Sequence, residues 1–470
     1  MTSASDFDVI VVGGGGGGLA AAAAAAESGA SVLVAEAAPA IGGATALSGG
    51  SFMAAGTPVQ AAAGYPDDSV AEFFDHYLTF NRWDADPVVA RRFCEEAAPT
   101  MAWLTGLGVE FRPENLYRAA RERVPRTHRP TGGGLAIVEA LHRACRASGV
   151  EFALGNRVDE LIMTGGRAVG VRSRGEELTA HAVIITSGGF GSNPDLVAEH
   201  FPDSERGGGE VWSPEPATCV GDGLRLGAGA GAATAGRNRG ELLLGTGFAR
   251  DLEPFVPGWL VYVTPDGRRF VDEHAPYTVI TPTLLNRADW CWAVLDEAAR
   301  EAATAPVDAR WGMGSWIGDV LLAEARNGRV LAAGTVAGLA GVTQMPPVTL
   351  AATIDRYNED CRAGTDTRFG KDPSVMKPIA TPPFYAVRLR PLVVAVTGYG
   401  LVIDADARVL RETDGEPVAG LFAAGEVTGN VIGAQYIGGG NAIGSALIFG
   451  RLAGRAAAAD RAATITHAER

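Results

Sequence analysis

Six consecutive glycines, Gly13 to Gly18, constrain this chain more than any other feature. Residues 7–12 (FDVIVV) precede them and read as a fully buried parallel strand. Residues 19–28 follow, mostly alanine, and read as a small-residue helix closed by Gly29. Residues 31–36 (SVLVAE) read as the next buried strand, ending on Glu36. The pattern predicts a βαβ opening. Gly13, Gly15 and Gly18 satisfy G-x-G-x-x-G, and an acid stands 23 residues after Gly13. Any six-glycine run meets that spacing, so the strand, helix and acid around it carry the meaning. Glycines there permit a tight turn and close approach of backbone to a pyrophosphate. The helix N-terminus offers that anion free N–H groups and the positive end of a dipole. Glu36 can accept hydrogen bonds from both ribose hydroxyls and disfavours a 2′-phosphate.

Three further segments point to FAD rather than NAD. Gly42, Gly43, Ala44, Thr45, Ser48, Gly49 and Gly50 form a second glycine-rich, hydroxyl-bearing loop able to line a flavin and its diphosphate. Residues 420–426 (GLFAAGE) read as a buried strand ending on Gly425 and Glu426, whose carboxylate can hold the ribityl chain. Gly438, Gly439 and Gly440 open the last helix at Asn441, Ala442 and Ile443. A helix N-terminus aimed at the flavin pyrimidine edge would stabilise the charge that forms when flavin accepts a hydride.

The intervening chain fits two domains in an α/β architecture. Residues 134–148 read as an amphipathic helix and 158–180 as three short strands, with a hairpin turn over 164–167. A further strand at 182–186 leads into Gly188. Residues 207–240 read as glycine-rich and irregular, and the periodicity stays weak to about 390 while Trp and Pro rise. Buried-strand character returns at 392–396 and 420–424, and a last helix spans about 441–459, with the final ten residues frayed. The expected layout is a discontinuous Rossmann-like FAD-binding domain, 1–235 and 392–470, with an inserted α+β substrate-capping domain at 236–391.

Composition narrows the partners. The net charge of −14 repels phosphate backbones and anionic membrane surfaces, which argues against nucleic acid. Cys94, Cys145, Cys219, Cys291 and Cys361 are odd in number and never in a C-x-x-C pair, which suits a reducing cytoplasm. The seven histidines show no H-x-x-x-H or H-E-x-x-H pattern, so no metal site is expected. No signal peptide is expected, and the longest bland run falls far short of the ~20 apolar residues of a transmembrane helix.

The four glycine-rich segments together resemble the flavoprotein superfamily of fumarate reductase and succinate dehydrogenase, whose soluble members include 3-ketosteroid dehydrogenases. The resemblance implies an FAD domain in two parts, an inserted capping domain, and flavin contacts that also include Val158 and Gly188. The 41–50 loop holds no histidine, the residue to which membrane-bound members attach flavin, so non-covalent FAD is expected.

Substrate residues separate the members. Dicarboxylate enzymes resemble N-E-x-x-x-R-D after a G-x-R-F strand; here 267–277 reads GRRFVDEHAPY and Tyr277 takes the arginine position. They also resemble H-G-x-N-R-x-G-G, where this chain has Tyr436, and H-T-x-G-G, where it has Val396. A dicarboxylate among two phenols and a valine would leave buried charge unpaired, which costs several kcal/mol. The same substitutions are similar to 3-ketosteroid Δ1-dehydrogenases, with N-E-S-x-x-Y and G-x-x-Y-x-G-x-G. That resemblance implies Tyr277 as base, with Tyr436 and the Gly440 N–H holding the ketone oxygen. A Δ4-type enzyme wants serine where Gly438 stands. A third, supporting tyrosine is open among Tyr65, Tyr117 and Tyr399. His274 is not expected to act, and Trp290, Trp292, Trp311 and Trp316 are expected to line or brace the cap.

The expected activity is desaturation of a small hydrophobic cyclic ketone, with hydride passing to flavin N5. A phenol is a reluctant base at pH 7, so Tyr277 needs a second tyrosine or a helix N-terminus to favour its phenolate. The alternative is an ene-reductase acting on an enone or unsaturated acid. No second G-x-G-x-x-G follows a strand, so a nicotinamide donor is not indicated and the electron acceptor stays open.

Overall fold

A computed structural model describes residues 5–119, 122–250, 257–305 and 314–468. The chain forms two compact units, Met1–Phe201 with Glu215–Glu241 and Val396–Arg470, and Pro202–Pro214 with Leu242–Ala395. The crossings at 241–242 and 395–396 lie a few residues beyond the sequence-based boundaries of 235 and 391. Both fall inside continuous strands, Gly240–Gly245 and Phe384–Thr397, so no change of composition marks them. Residues 202–214 belong to the second unit, which the sequence does not signal.

In the first unit, Phe7–Val12 is the central strand. Val32–Glu36 pairs parallel on one side, with Val11 opposite Val34, and Glu176–Ile185 parallel on the other, with Val11 opposite Ile184. Glu151–Leu154 extends the sheet beyond Val32–Glu36, and Pro417–Ala423 beyond Glu176–Ile185, both parallel. Antiparallel strands Glu160–Thr164, Arg167–Ser173 and Arg408–Leu410 complete eight strands. Val9, Ile10 and Val11 are fully buried because helices cover both faces of such a sheet.

Two of the covering helices touch backbone to backbone. A Cβ on Gly450 would lie 2.3 Å from the Gly17 carbonyl oxygen, and one on Gly454 2.1 Å from that of Ala21. The first helix is Gly16–Glu27, three residues earlier than expected, because Gly16, Gly17 and Gly18 form its first turn instead of a loop before it. The strands expected at the end of 158–180 and at 182–186 are one strand, Glu176–Ile185, since alternating and continuous apolar stretches join without a turn residue. The last helix runs Asn441–Ala468, past the expected end at 459.

The second unit is an α+β insertion built on one sheet. Gly240–Gly245, Phe384–Thr397, Cys291–Asp296 and Val261–Val263 lie in that order, with Val330–Ala333 also paired to Phe384–Thr397. Leu260 and Tyr262 join one apolar cluster, and Val261 and Val263 another, as the two-residue period of a strand requires. Trp316 and Trp292 are buried in these clusters, and Trp290 meets Trp292 edge-on at 5.3 Å. These tryptophans brace the core of the unit; Trp311 lies outside the described residues. Among the described residues no helix is long and apolar enough to cross a membrane.

Candidate active site

The parallel registers place the chemistry-bearing segments in one row. Val12 is opposite Ala35 and Ile185, and Ile185 is opposite Ala423. Gly13, Glu36, Thr186 and Ala424 therefore leave adjacent strands along the same carboxyl edge, where open α/β sheets bind ligands.

At Gly13 the backbone has φ +107°, and an added Cβ would lie 2.5 Å from the Thr186 carbonyl oxygen. At Gly18 it would lie 1.9 Å from the Gly13 oxygen. The turn is thus closed to any other residue at two of the three motif positions. Gly15 caps the helix and bridges to Gly42, which brings the 41–50 loop against the first turn. Glu36 is buried, and its carboxylate accepts the Gly14 N–H at 2.6 Å and the Ala38 N–H at 2.7 Å.

The second loop contains the short helix Gly43–Leu47, which includes Ala44. The Thr45 hydroxyl oxygen accepts the Gly16 N–H at 3.3 Å. Ser48 Oγ donates to the Thr45 carbonyl at 2.8 Å and accepts from the Gly50 N–H. Gly49 and Gly50 adjoin the helix Gly133–Ala147, since a Cβ on Gly133 would lie 3.7 Å from the Gly49 oxygen and one on Gly50 2.5 Å from the Gly134 nitrogen. Val158 is buried just beyond Asn156, whose N–H donates to the Glu36 carbonyl.

Two strands along, Gly189 meets Glu426, while a Cβ on Gly188 would lie 3.0 Å from Cys219 Sγ and one on Gly425 3.4 Å from the Ala446 Cβ. One Glu426 oxygen accepts from the Thr397 N–H at 2.6 Å and from its hydroxyl at 2.8 Å. A Cβ on Gly189 would lie 2.1 Å from the Thr397 hydroxyl and 2.5 Å from that carboxylate. Glu215, which the sequence reading passed over, lies beside Glu426 and accepts the Gly191 N–H at 3.0 Å. Burial first, then the Glu426 charge, push the Glu215 carboxyl well above the usual range.

The turn before the last helix is fixed from below by a three-stranded sheet of Phe52–Met53, Thr127–Pro130 and Phe111–Tyr117. The Met53 N–H donates to the Gly440 carbonyl at 3.3 Å and the Thr127 hydroxyl to that of Gly439 at 2.9 Å. Gly440 has φ +102°, and a Cβ there would lie 2.8 Å from the Met53 nitrogen. Tyr436 is buried, and its oxygen lies 3.4 Å from the Ala442 N–H in the first turn, with Ile443 next in the chain. Burial raises the Tyr436 phenol well above its ordinary value, and Glu241, Tyr117 and Glu426 add to the rise. Of the three tyrosines left open, Tyr117 is thus the one near Tyr436; its hydroxyl lies 2.9 Å from Ser51 Oγ. Tyr399 instead stacks on His200 at 4.1 Å, and Tyr65 lies under the Arg118 guanidinium.

In the second unit, Tyr277 is the first residue of the helix Tyr277–Leu285. A buried ionic cluster holds the preceding turn. Glu273 takes two bonds from Arg269 at 2.8 Å each and one from Lys371 at 3.0 Å, and Arg269 also grips Asp366. His274 is exposed, and its backbone N–H donates to Asp272 at 2.9 Å.

The residues at the carboxyl edge suit FAD. The glycine turn fits a diphosphate, and two buried polar atoms, Ser187 Oγ beside it and Asn441 Nδ2 at the start of the last helix, have no hydrogen-bond partner among the described residues. Among those residues no cluster could hold a metal ion.

Comparison with known proteins agrees. The FAD binding domain family matches residues 8–443. The probable fumarate reductase Ifc3 of Shewanella frigidimarina is 30% identical over 92% of this chain and 71% of its own length. The 4-oxocyclohexanecarboxylate 2-dehydrogenase of Sinomonas cyclohexanicum is 29% identical over 70% of this chain and 61% of its own. Among solved structures, the 3-ketosteroid-Δ4-(5α)-dehydrogenase of Rhodococcus jostii RHA1, in complex with 4-androstene-3,17-dione, superposes with a TM-score of 0.81 at 28% identity, over 97% of this chain and 98% of that one. Ifc3 is named as a reductase and the other two as dehydrogenases. The chain belongs to the FAD binding domain family, within the fumarate reductase and succinate dehydrogenase flavoprotein superfamily, and is a flavin-dependent oxidoreductase.

Proposed function

We propose that the protein desaturates a ring ketone next to its carbonyl. The observation that carries this reading is Tyr436 with Gly440 at the N-terminus of the last helix, where dicarboxylate members of the superfamily place arginine. A phenol and a backbone N–H suit a neutral ketone oxygen; they do not neutralise a carboxylate. The Sinomonas dehydrogenase is named for a ring ketone and the Rhodococcus structure holds one, which supports the same class. Gly438, where a Δ4-type enzyme has serine, favours Δ1-type regiochemistry.

When bound, FAD supplies the acceptor for the hydride leaving the β-carbon. Tyr436 and the Gly440 N–H hold the ketone oxygen as negative charge builds on it. Tyr277 takes the α-proton onto its phenolate oxygen, a role that rests on its motif and its place at a helix N-terminus. Glu36 and the Gly13–Gly18 turn would hold the cofactor's ribose and diphosphate, Glu426 its ribityl chain, and Asn441 its flavin end. The Ifc3 likeness favours a second reading, the reverse reaction on an enone, which the same residues can perform.

The test is anaerobic mixing of the flavin-loaded protein with a 3-ketosteroid and with a small ring ketone. Loss of the flavin's visible absorbance is expected with at least one. Tyr436→Phe should slow it about 10²–10³-fold with unchanged FAD content, as for loss of one oxyanion donor. Full colour retained with both ketones would overturn the reading.

A further inference from the structure

The helix Val70–Phe80 ends on Asn81, and its buried face carries Tyr77 one turn earlier. Both side chains are fully buried, and both hold the stretch of chain that bears Tyr436. The Tyr77 hydroxyl donates to the Val431 carbonyl at 2.6 Å and lies 3.3 Å from Asn441 Oδ1. The two ends of the 431–441 stretch therefore meet at one hydroxyl, and Tyr436 and Gly440 lie on the loop so closed. Asn81 Oδ1 accepts the Gln435 N–H at 2.9 Å, and its Nδ2 donates to the Tyr77 carbonyl at 3.2 Å. Gly433 lies between these anchors with φ +76°, and a Cβ there would lie 2.6 Å from Asn81 Oδ1 and 2.9 Å from the Ala85 Cβ. The loop is thus pressed onto Asn81, and Tyr436 directly follows its last anchored residue. The turn that presents Asn81 is strained. Arg82 and Trp83 follow at φ +53° and +61°, a region that side chains other than glycine's rarely occupy. The Arg82 N–H on the Thr79 carbonyl at 3.1 Å and the Trp83 N–H on that of Leu78 at 2.9 Å hold it there. Such strain persists only where the surroundings over-determine it, and it clusters at functional sites.

We propose that Tyr77 and Asn81 are positioning residues of the oxyanion site: they clamp the 431–441 loop and so set where the Tyr436 hydroxyl stands relative to the Gly440 N–H. The inference rests on the ring-ketone reading above. Two donors stabilise charge on one oxygen only when both are aimed at it beforehand. A misplacement of about 1 Å in such a group can cost about a hundredfold in rate. The two donors here rest on different supports. Gly439 and Gly440 are held through their carbonyls by Thr127 and Met53 of the three-stranded sheet. The chain entering Tyr436 is held by the end of the helix Val70–Phe80. Tyr77 and Asn81 act only through the loop, and no proton or electron passes through either of them.

The test is a double-mutant cycle on the flavin-loaded protein, with affinity for 4-nitrophenolate read from the flavin spectrum. The nitrophenolate oxygen stands in for the charged enolate oxygen. Tyr436→Phe should weaken binding about tenfold or more, as for loss of a hydrogen bond to a charged group. Tyr77→Phe keeps the ring and removes only the hydroxyl. It should weaken binding about threefold or more in the wild-type background and less than about twofold in the Tyr436→Phe background. Asn81→Ala should show the same pattern, and it carries the test if Tyr77→Phe fails to load FAD. A general loosening of the fold would weaken binding equally in both backgrounds. Equal losses in both, or Tyr77→Phe and Asn81→Ala proteins that bind like the wild type, would overturn the clamp and leave the ring-ketone reading standing. A Tyr436→Phe protein that binds as tightly as the wild type, or a wild type that does not bind at all, would overturn the oxyanion site itself, and the clamp with it.

Discussion

His128 shows how much a single side chain governs here. It is buried on the strand Thr127–Pro130, with Nε2 2.8 Å from the Thr57 hydroxyl and Nδ1 2.8 Å from the Arg126 carbonyl oxygen. Burial pulls its pKa down to about 4, against the bonds to backbone that pull the other way. The folded state therefore resists protonation that the unfolded chain accepts near pH 6.5. Stability from this residue is complete above that value and is lost as pH falls toward 4. Between pH 7 and pH 5 the His128→Gln variant should lose about 2 kcal/mol less stability than the wild type in thermal or urea denaturation, since His76, also pulled down to about 4 by burial, contributes equally to both. An unchanged pH slope in the variant would exclude His128 as the source. The neighbouring Thr127 holds the Gly439 carbonyl, so acid should also loosen the turn that carries Gly440. Other decisive side chains have no sequence signature. Glu215 sits in an irregular Pro-Glu-Pro stretch, and only folding sets it beside Glu426.

At the scale of elements, the sequence was most legible where local pattern and tertiary role coincide. The strands Phe7–Val12 and Val32–Glu36 are apolar throughout because they are covered on both faces, and their glycine turn has no other backbone solution. The helix Gly133–Ala147 is amphipathic because one face alone is buried. Legibility fell where a contact is distant in the chain. Nothing near Gly450 or Gly454 says that both meet the first helix, yet that contact sets where the diphosphate turn can sit. Gly450→Val should cost about 1–3 kcal/mol by overpacking and reduce FAD retention as well as the melting temperature. A variant that melts like the wild type and keeps its FAD would show that the two helices can separate without consequence.

At the scale of the molecule, one chain combines a dinucleotide scaffold shared across its superfamily with a substrate end of its own. The scaffold binds FAD through backbone turns, which the glycines record plainly. We propose that Tyr277, Tyr436 and Val396, which stand where the dicarboxylate pattern has two arginines and a histidine and are legible only against that pattern, move the enzyme from dicarboxylates to ring ketones. The most direct measurement is rapid anaerobic mixing of the chemically reduced, flavin-loaded protein with fumarate in one syringe and a ring enone in another experiment, following return of the flavin colour. Reoxidation by the enone and none above background by fumarate is the expected result. Fast reoxidation by fumarate, with the enone inert, would contradict it.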